Sequence, residues 1–163
     1  MYIHLINKVY TKKEEYKMKN IVLVTHGEFA TGIVTSLELV YGKSENLETV
    51  TIHSSETLKE IIKNIQDKIT GFNNNLPTVI ITDIAGGSTT QAALEILSSN
   101  ENIYLLTGLS LGLLLEVVLA DMTDSDEENK EILREIIENT RQTINFVNDL
   151  SENEMEESED GEL

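Results

Sequence analysis

The chain has 163 residues, which is enough for one globular domain with a sizeable core and too few for a second domain of ordinary size. Its formal charge of −17 at pH 7 argues against nucleic acid or an anionic membrane surface as a partner. It contains no cysteine, which excludes disulfides, thiolate zinc sites and cysteine nucleophiles, so any covalent chemistry has to use another side chain.

The two ends of the chain differ from its middle. Residues 1–17 are basic and precede Met18, which begins MKNIVLVTHG like a natural start, so we predict a non-core N-terminal extension at 1–17. Residues 149–163 hold eight acids and no base, which predicts an acidic disordered tail. The first residues lack a signal-peptide core, and the longest apolar run, 109–120, is too short to span a bilayer. We therefore expect a cytoplasmic protein with one folded domain at 18–148.

Predicted strands and helices alternate along that domain. Runs of apolar, often β-branched residues predict buried strands, in chain order at residues 21–25, 47–52, 79–81 and 103–106. Apolar residues at helical spacing predict a helix after each strand, at about residues 29–41, 58–71, 88–97 and 109–119. Ser54 or Ser55 is the expected cap of the second helix, and Ser88 opens the third. This alternation predicts an α/β fold in three layers, with helices on both faces of a parallel sheet.

The last segment of the domain fits two interpretations. Residues 126–147 have the periodicity of a helix, with Leu133, Ile136 and Ile144 among the apolar positions. Residues 143–147 (TINFV) nevertheless have the composition of a strand. The pattern alone leaves helix and strand open here.

Polar side chains follow the first and third predicted strands. His26 comes directly after the first strand, and Asp83 follows the third. If these strands are neighbours with their helices on opposite faces, the two side chains face each other across the crevice at the carboxyl ends of the strands. A carboxylate that accepts a hydrogen bond from one imidazole nitrogen fixes the tautomer and leaves the other nitrogen as a nucleophile. We therefore predict that His26 and Asp83 are catalytic.

A predicted anion site lies beside this pair. Gly86 and Gly87 form a turn into the helix that Ser88 opens, and a helix start presents backbone N–H groups and the positive end of its dipole to an anion. Thr25 offers a further hydroxyl next to His26. Each feature alone also fits a turn or a helix cap, but their convergence at two strand ends predicts phosphate binding by Thr25, Gly86, Gly87 and Ser88.

Other kinds of site have less support. His53 ends the second strand without a nearby carboxylate in the sequence to orient it, and His4 lies in the predicted extension. Three scattered histidines lack the spacing of a metal site, and no dinucleotide or Walker glycine pattern follows a strand. Residues 24–26 also lack the acidic pair of a magnesium-dependent aspartyl-phosphate receiver. We predict neither a metal nor another cofactor.

Three segments carry a family resemblance. They are VTHGEFATG at 24–32, TDIAGGSTTQAA at 82–93 and LTGLSLGLLLEVV at 106–118. In order and spacing they resemble the IIA domains of the mannose, fructose and sorbose family of the phosphoenolpyruvate-dependent sugar phosphotransferase system. The resemblance covers about residues 19–147.

The resemblance implies a phosphohistidine carrier. In that family the histidine matching His26 accepts a phosphoryl group from phospho-HPr and passes it to a IIB component. The aspartate matching Asp83 hydrogen-bonds the imidazole, and the serine matching Ser88 lies near the phosphate. The membrane components IIC and IID are then only indirect partners. No cofactor is required.

The resemblance also implies the order 2-1-3-4 for the four parallel strands. In the family a fifth, antiparallel strand at the C-terminus is exchanged between the two subunits of a homodimer, which would make residues 143–147 a strand. The chain departs from some members at Thr89, where they have proline, and at Ile84 and Ala85, where others have a bulkier pair. The tail lacks the Ala/Pro-rich linker of fused members, so we expect a stand-alone IIA.

Two other functions remain open. One is the phosphotransfer subunit of a dihydroxyacetone kinase, whose domain has a similar fold and an equivalent histidine. The sequence Gly86-Gly87-Ser88 after Asp83 favours the mannose type. The other is a non-catalytic IIA-like regulatory module that does not pass phosphate on.

Overall fold

The computed structural model describes residues 18–148, so the predictions for residues 1–17, including His4, and for residues 149–163 lie outside it. The strands are β1 (Asn20–His26), β2 (Leu47–Ile52), β3 (Thr78–Thr82) and β4 (Ile103–Thr107). The helices are α1 (Phe29–Val40), α2 (Leu58–Gly71), α3 (Ser88–Leu97), α4 (Leu111–Leu119) and α5 (Asp126–Arg141). Within residues 18–148, no helix combines the length and the apolar character needed to cross a bilayer.

The four strands form one parallel sheet in the order β2-β1-β3-β4, which confirms the expected strand order. Successive residues of β1 point to opposite faces. Ile21 and Leu23 pack into the core formed with α1, α4 and α5, whereas Val22 and Val24 pack into the core formed with α2 and α3. The predicted α/β fold with three layers is therefore confirmed.

The cap of α2 differs from the prediction. Thr57 is the N-cap, and its hydroxyl accepts the backbone N–H of Glu60 while the Glu60 carboxylate accepts the backbone N–H of Thr57. This reciprocal capping box requires an acid three residues after the cap, which Thr57 has in Glu60. Ser54 and Ser55, which were expected to cap the helix, instead lie in the turn that precedes it.

The C-terminal segment is not one continuous helix, because residues 142–146 separate α5 from a second helical stretch at residues 147 and 148. Helix α5 ends at Arg141, and residues 143–147 pair with no strand in the part of the single chain that the structure describes. The side chains of Ile144, Phe146 and Val147 are exposed at 83%, 66% and 69%. The helix therefore does not extend to residue 147, and a strand exchanged in a dimer stays a prediction.

Candidate functional site

His26 and Asp83 lie together at the carboxyl edge of the sheet. His26 is the last residue of β1, and Asp83 directly follows β3. Because the register pairs Val24 with Thr82, the two strands end side by side. The Nδ1 atom of His26 lies 2.9 Å from Oδ2 of Asp83, and the backbone N–H of His26 donates to the same oxygen at 2.8 Å. The structure thus brings the two predicted catalytic residues into direct contact.

Both oxygens of the Asp83 carboxylate accept hydrogen bonds, and the side chain is nearly buried. Its side chain is only 9% exposed. Besides the two bonds from His26 to Oδ2, Oδ1 accepts the backbone N–H of Ile84 at 2.9 Å and the hydroxyl of Thr89 at 3.1 Å. Burial raises the pKa of Asp83, but the hydrogen bonds from His26, Ile84 and Thr89 together outweigh it and hold that pKa below its ordinary value. Asp83 is therefore ionised at neutral pH.

The charge on Asp83 determines the tautomer of His26. An ionised carboxylate can only accept hydrogen bonds, so the proton of a neutral His26 ring has to be on Nδ1. The lone pair is then on Nε2, which lies 3.2 Å from Oγ of Ser88. The His26 side chain is 46% exposed, so a partner molecule can reach this nitrogen.

The start of α3 offers donors beside Nε2, although not all the predicted ones. The N–H of Gly87 donates to the carbonyl of Ile84 at 3.2 Å, so it is already engaged, contrary to the prediction. The first bond of the helix joins the N–H of Gln91 to the carbonyl of Gly87, which leaves the N–H groups of Ser88, Thr89 and Thr90 without an acceptor inside the helix. Phosphate binding by Gly86, Gly87 and Ser88 stays a prediction, and the N–H groups that the helix itself leaves unused begin at Ser88.

Gly86 and Gly87 affect the geometry of the site because they lack side chains. Gly86 has φ of +77°, a conformation that a side chain disfavours, and it makes the turn from Asp83 to α3 possible. A Cβ atom at Gly87 would lie 3.5 Å from Cε1 of His26. The absence of a side chain at Gly87 therefore keeps space open beside the imidazole.

Thr25 does not lie in the site. It is fully buried, and its hydroxyl accepts the backbone N–H of Ala30 at 2.8 Å, near the start of α1. Neighbouring residues of a strand point to opposite faces, so Thr25 and His26 diverge. The predicted phosphate contact of Thr25 is thus not supported by the geometry, and its hydroxyl has a structural partner instead.

His53 lies near the same edge of the sheet without a comparable environment. Its Nε2 is 4.0 Å from a carboxylate oxygen of Glu28, beyond hydrogen-bond distance, and both side chains are mostly exposed. The Glu56 carboxylate accepts the backbone N–H of His53 rather than its ring. Within residues 18–148, no group of three or more histidine, aspartate or glutamate side chains is arranged to hold a metal ion.

Sequence reasoning missed one member of the site. Thr89 donates to the Asp83 carboxylate, although in the sequence it stands out only as a departure from the family pattern. The available signal was a hydroxyl residue in the first turn of the helix that follows Asp83. Its orientation toward Asp83 depends on the path of the loop, which the sequence pattern does not specify.

Comparisons with known proteins agree with this fold. The family model described as PTS system fructose IIA component matches residues 20–137, and the chain belongs to this family. The chain is 23% identical over 124 residues to the PTS system mannose-specific EIIAB component of Escherichia coli K12, a match that covers 76% of this chain. It spans only 38% of the length of that relative.

Other relatives are closer to the chain in length. The PTS system sorbose-specific EIIA component of Klebsiella pneumoniae is 30% identical over 101 residues, which cover 62% of this chain and 73% of the relative. The crystal structure of phosphotransferase system component EIIA from Streptococcus agalactiae is 25% identical with a TM-score of 0.67, covering 80% of this chain and 98% of that one. A PTS IIA protein associated with the fucose utilization operon of Streptococcus pneumoniae, 21% identical with a TM-score of 0.70, has the same fold over 84% of this chain and 98% of its own.

Proposed function

We propose that this protein is a phosphohistidine carrier of a sugar phosphotransferase system. His26 would accept a phosphoryl group from phospho-HPr and pass it to a IIB component, for sugar uptake and phosphorylation. The observation that carries the proposal is the state of the His26 ring. Asp83 holds its Nδ1–H at 2.9 Å, and the lone pair on Nε2 is accessible beside Ser88.

The proposed reaction is a transfer between two imidazoles. Nε2 of His26 attacks the phosphorus, the P–N bond of the donor breaks, and the donor ring takes back its electron pair. The proton of His26 stays on Nδ1, so the ring gains positive charge that the ionised Asp83 stabilises. The Ser88 hydroxyl and the N–H groups of the first turn of α3 stabilise the phosphoryl oxygens. Transfer to the IIB component reverses the same steps.

The proposed partners follow from family membership and exposure. Phospho-HPr is the donor and a IIB component the acceptor, and IIC and IID are reached only through IIB. All of these steps would take place in the cytoplasm. An accessible His26 on an open edge of the sheet is suited to successive contacts with two proteins.

We also propose that the protein forms a homodimer through its C-terminal segment. Ile144, Phe146 and Val147 are mostly exposed in the single chain, and β4 is an edge strand of the sheet. A strand made from residues 143–147 of one subunit and added to the sheet of the other would bury these side chains.

The test is phosphorylation by the purified upstream proteins. The protein is incubated with phosphoenolpyruvate, enzyme I and HPr, and its intact mass is measured before and after acid treatment. We expect an acid-labile gain of one phosphate, about 80 Da, in the wild type and none in His26→Ala. His53→Ala, which alters another exposed histidine near the same edge, is the matched control and should gain the phosphate. If HPr is fully phosphorylated but the wild-type protein stays unmodified, the carrier function is refuted, and the two alternatives left open by the sequence are favoured.

A further inference from the structure

We infer that Thr89 is a positioning residue of the phosphotransfer site, which acts on His26 through Asp83; the inference rests on the proposed function. Thr89 is fully buried. Its Oγ1 lies 3.1 Å from Oδ1 of Asp83, and because an ionised carboxylate cannot donate, the hydroxyl donates. This bond engages the hydroxyl with Asp83, so the Thr89 side chain acts on the carboxylate and not on the phosphoryl group.

The bond from Thr89 keeps the carboxylate in one orientation. Oδ1 receives Thr89 and the N–H of Ile84, while Oδ2 receives the ring and the backbone of His26. The four bonds use the acceptor positions of both oxygens. Without Thr89, Oδ1 would keep a single donor in a nearly buried location. The carboxylate would then be held less firmly in the orientation that points Oδ2 at the His26 ring.

Thr89 is itself well fixed. It is the second residue of α3, where the helical backbone and a β-branched side chain limit its rotamers. The loop between Asp83 and α3 is held separately, because the hydroxyl of Thr90 donates to the carbonyl of Ile84 at 2.8 Å. A change at Thr89 can therefore release the carboxylate while Thr90 still holds the loop.

The chemical consequence concerns the charge that develops during transfer. When Nε2 of His26 bonds to phosphorus, the ring becomes positive and is stabilised by an ionised, aligned Asp83. Thr89 is one of the donors that lower the pKa of Asp83. Loss of its hydroxyl should raise that pKa and slow the chemical step, while binding of the donor protein stays unchanged.

The first measurement compares steady-state phosphorylation by phospho-HPr in Thr89→Val and the wild type. We expect kcat to fall about tenfold at constant KM, the size of effect that loss of a hydrogen bond to a charged group produces. Thr89→Ser, which restores the hydroxyl, should return most of the rate. Thr140→Val is the matched control: Thr140 is also buried in a helix, but its hydroxyl has no hydrogen-bond partner among residues 18–148, so the rate should not change.

The second measurement does not depend on phosphotransfer. The carboxyl carbon of Asp83 is titrated by 13C NMR in the wild type, Thr89→Val and Thr89→Ala, the last in case valine impairs folding. We expect a higher pKa of Asp83 in both variants, with the acidic limb of the rate profile displaced to higher pH. An unchanged titration in the two variants would overturn the inference. If the Asp83 titration shifts in the variants but HPr does not phosphorylate the wild type, the proposed function is refuted. The hydrogen bond from Thr89 to Asp83 is still supported in that case.

Discussion

At the residue scale, Asp83 connects all parts of the site. Its two oxygens accept bonds from the end of β1, from the following loop and from the first turn of α3. The same bonds that orient the His26 ring also favour the ionised form of the carboxyl group. Structure and chemistry at this edge of the sheet therefore depend on one charged group.

This dependence predicts how acid affects stability. The folded pKa of Asp83 lies below its unfolded value of about 3.9, so its contribution to stability is complete above that pH and is lost as the pH falls through the folded pKa. Asp83→Asn should therefore cost about 1–3 kcal/mol in the free energy of unfolding at pH 7, and the difference from wild type should shrink below about pH 4.

Urea unfolding at pH 7, 5 and 3 measures this difference. Asp67→Asn is a suitable control, because Asp67 is 61% exposed and forms a surface ion pair with Lys63 one helical turn away. Its effect should stay within about 0.5 kcal/mol at every pH. A difference between Asp83→Asn and wild type that is constant across the whole pH range would contradict this role of Asp83.

The sequence supports prediction of the main residues of the site and not of their secondary contacts. His26, Asp83 and Ser88 could be placed together because each stands at the end of a strand or the start of a helix. The hydrogen bonds of Thr25, Gly87 and Thr89 depend on side-chain direction and on the path of a loop. Alternation along the strand would have excluded Thr25, since it fixes Thr25 and His26 on opposite faces.

At the element scale, a buried lysine joins β1 to α4. Lys19 is 8% exposed and immediately precedes β1. Its ammonium group donates to the carbonyls of Val118 at 3.0 Å and Ala120 at 2.5 Å, at the end of α4. A cation at this end is favoured by the helix dipole. Burial lowers the pKa of Lys19 to about 8, with Asp121 acting in the opposite direction.

Lys19 therefore predicts a stability change at alkaline pH. Its unfolded pKa is near 10.4, so between about pH 8 and 10 the unfolded chain binds more protons than the folded one, and stability rises with pH. Urea unfolding should show a rise of about 1–3 kcal/mol over this interval in the wild type. Lys19→Met should lack the rise, whereas Lys63→Met, at a side chain 71% exposed, should keep it. Parallel pH curves for Lys19→Met and wild type would contradict this explanation.

The elements themselves were largely predictable because their patterns are local. Four apolar runs became the four strands, and residues with helical spacing became helices that pack on both faces. The cap of α2 was misplaced since two serines precede Thr57, and the acid three residues later identifies the threonine. Residues 143–147 resist prediction from the pattern because a strand there needs a second sheet edge to pair with.

At the scale of the whole molecule, the proposed strand exchange predicts a dimer that depends on apolar side chains near the C-terminus. Light scattering after size exclusion should give twice the 18.3 kDa of one chain. Phe146→Glu should shift the mass toward one chain, because a charge would have to be buried in the exchanged strand. Leu39→Glu, which alters an 89% exposed side chain on α1, is expected to leave the mass unchanged. A wild-type protein that is monomeric at high concentration would contradict the exchange.

The most direct test of phosphoryl transfer through His26 is to locate the P–N bond. The imidazole nitrogens are labelled with 15N, and their NMR signals are recorded before and after phosphorylation by HPr. We expect a proton on Nδ1 and a free lone pair on Nε2 beforehand, as contact with Asp83 requires, and 31P–15N coupling at Nε2 of His26 afterwards. Coupling at Nδ1, or at His53, would contradict the arrangement of the site.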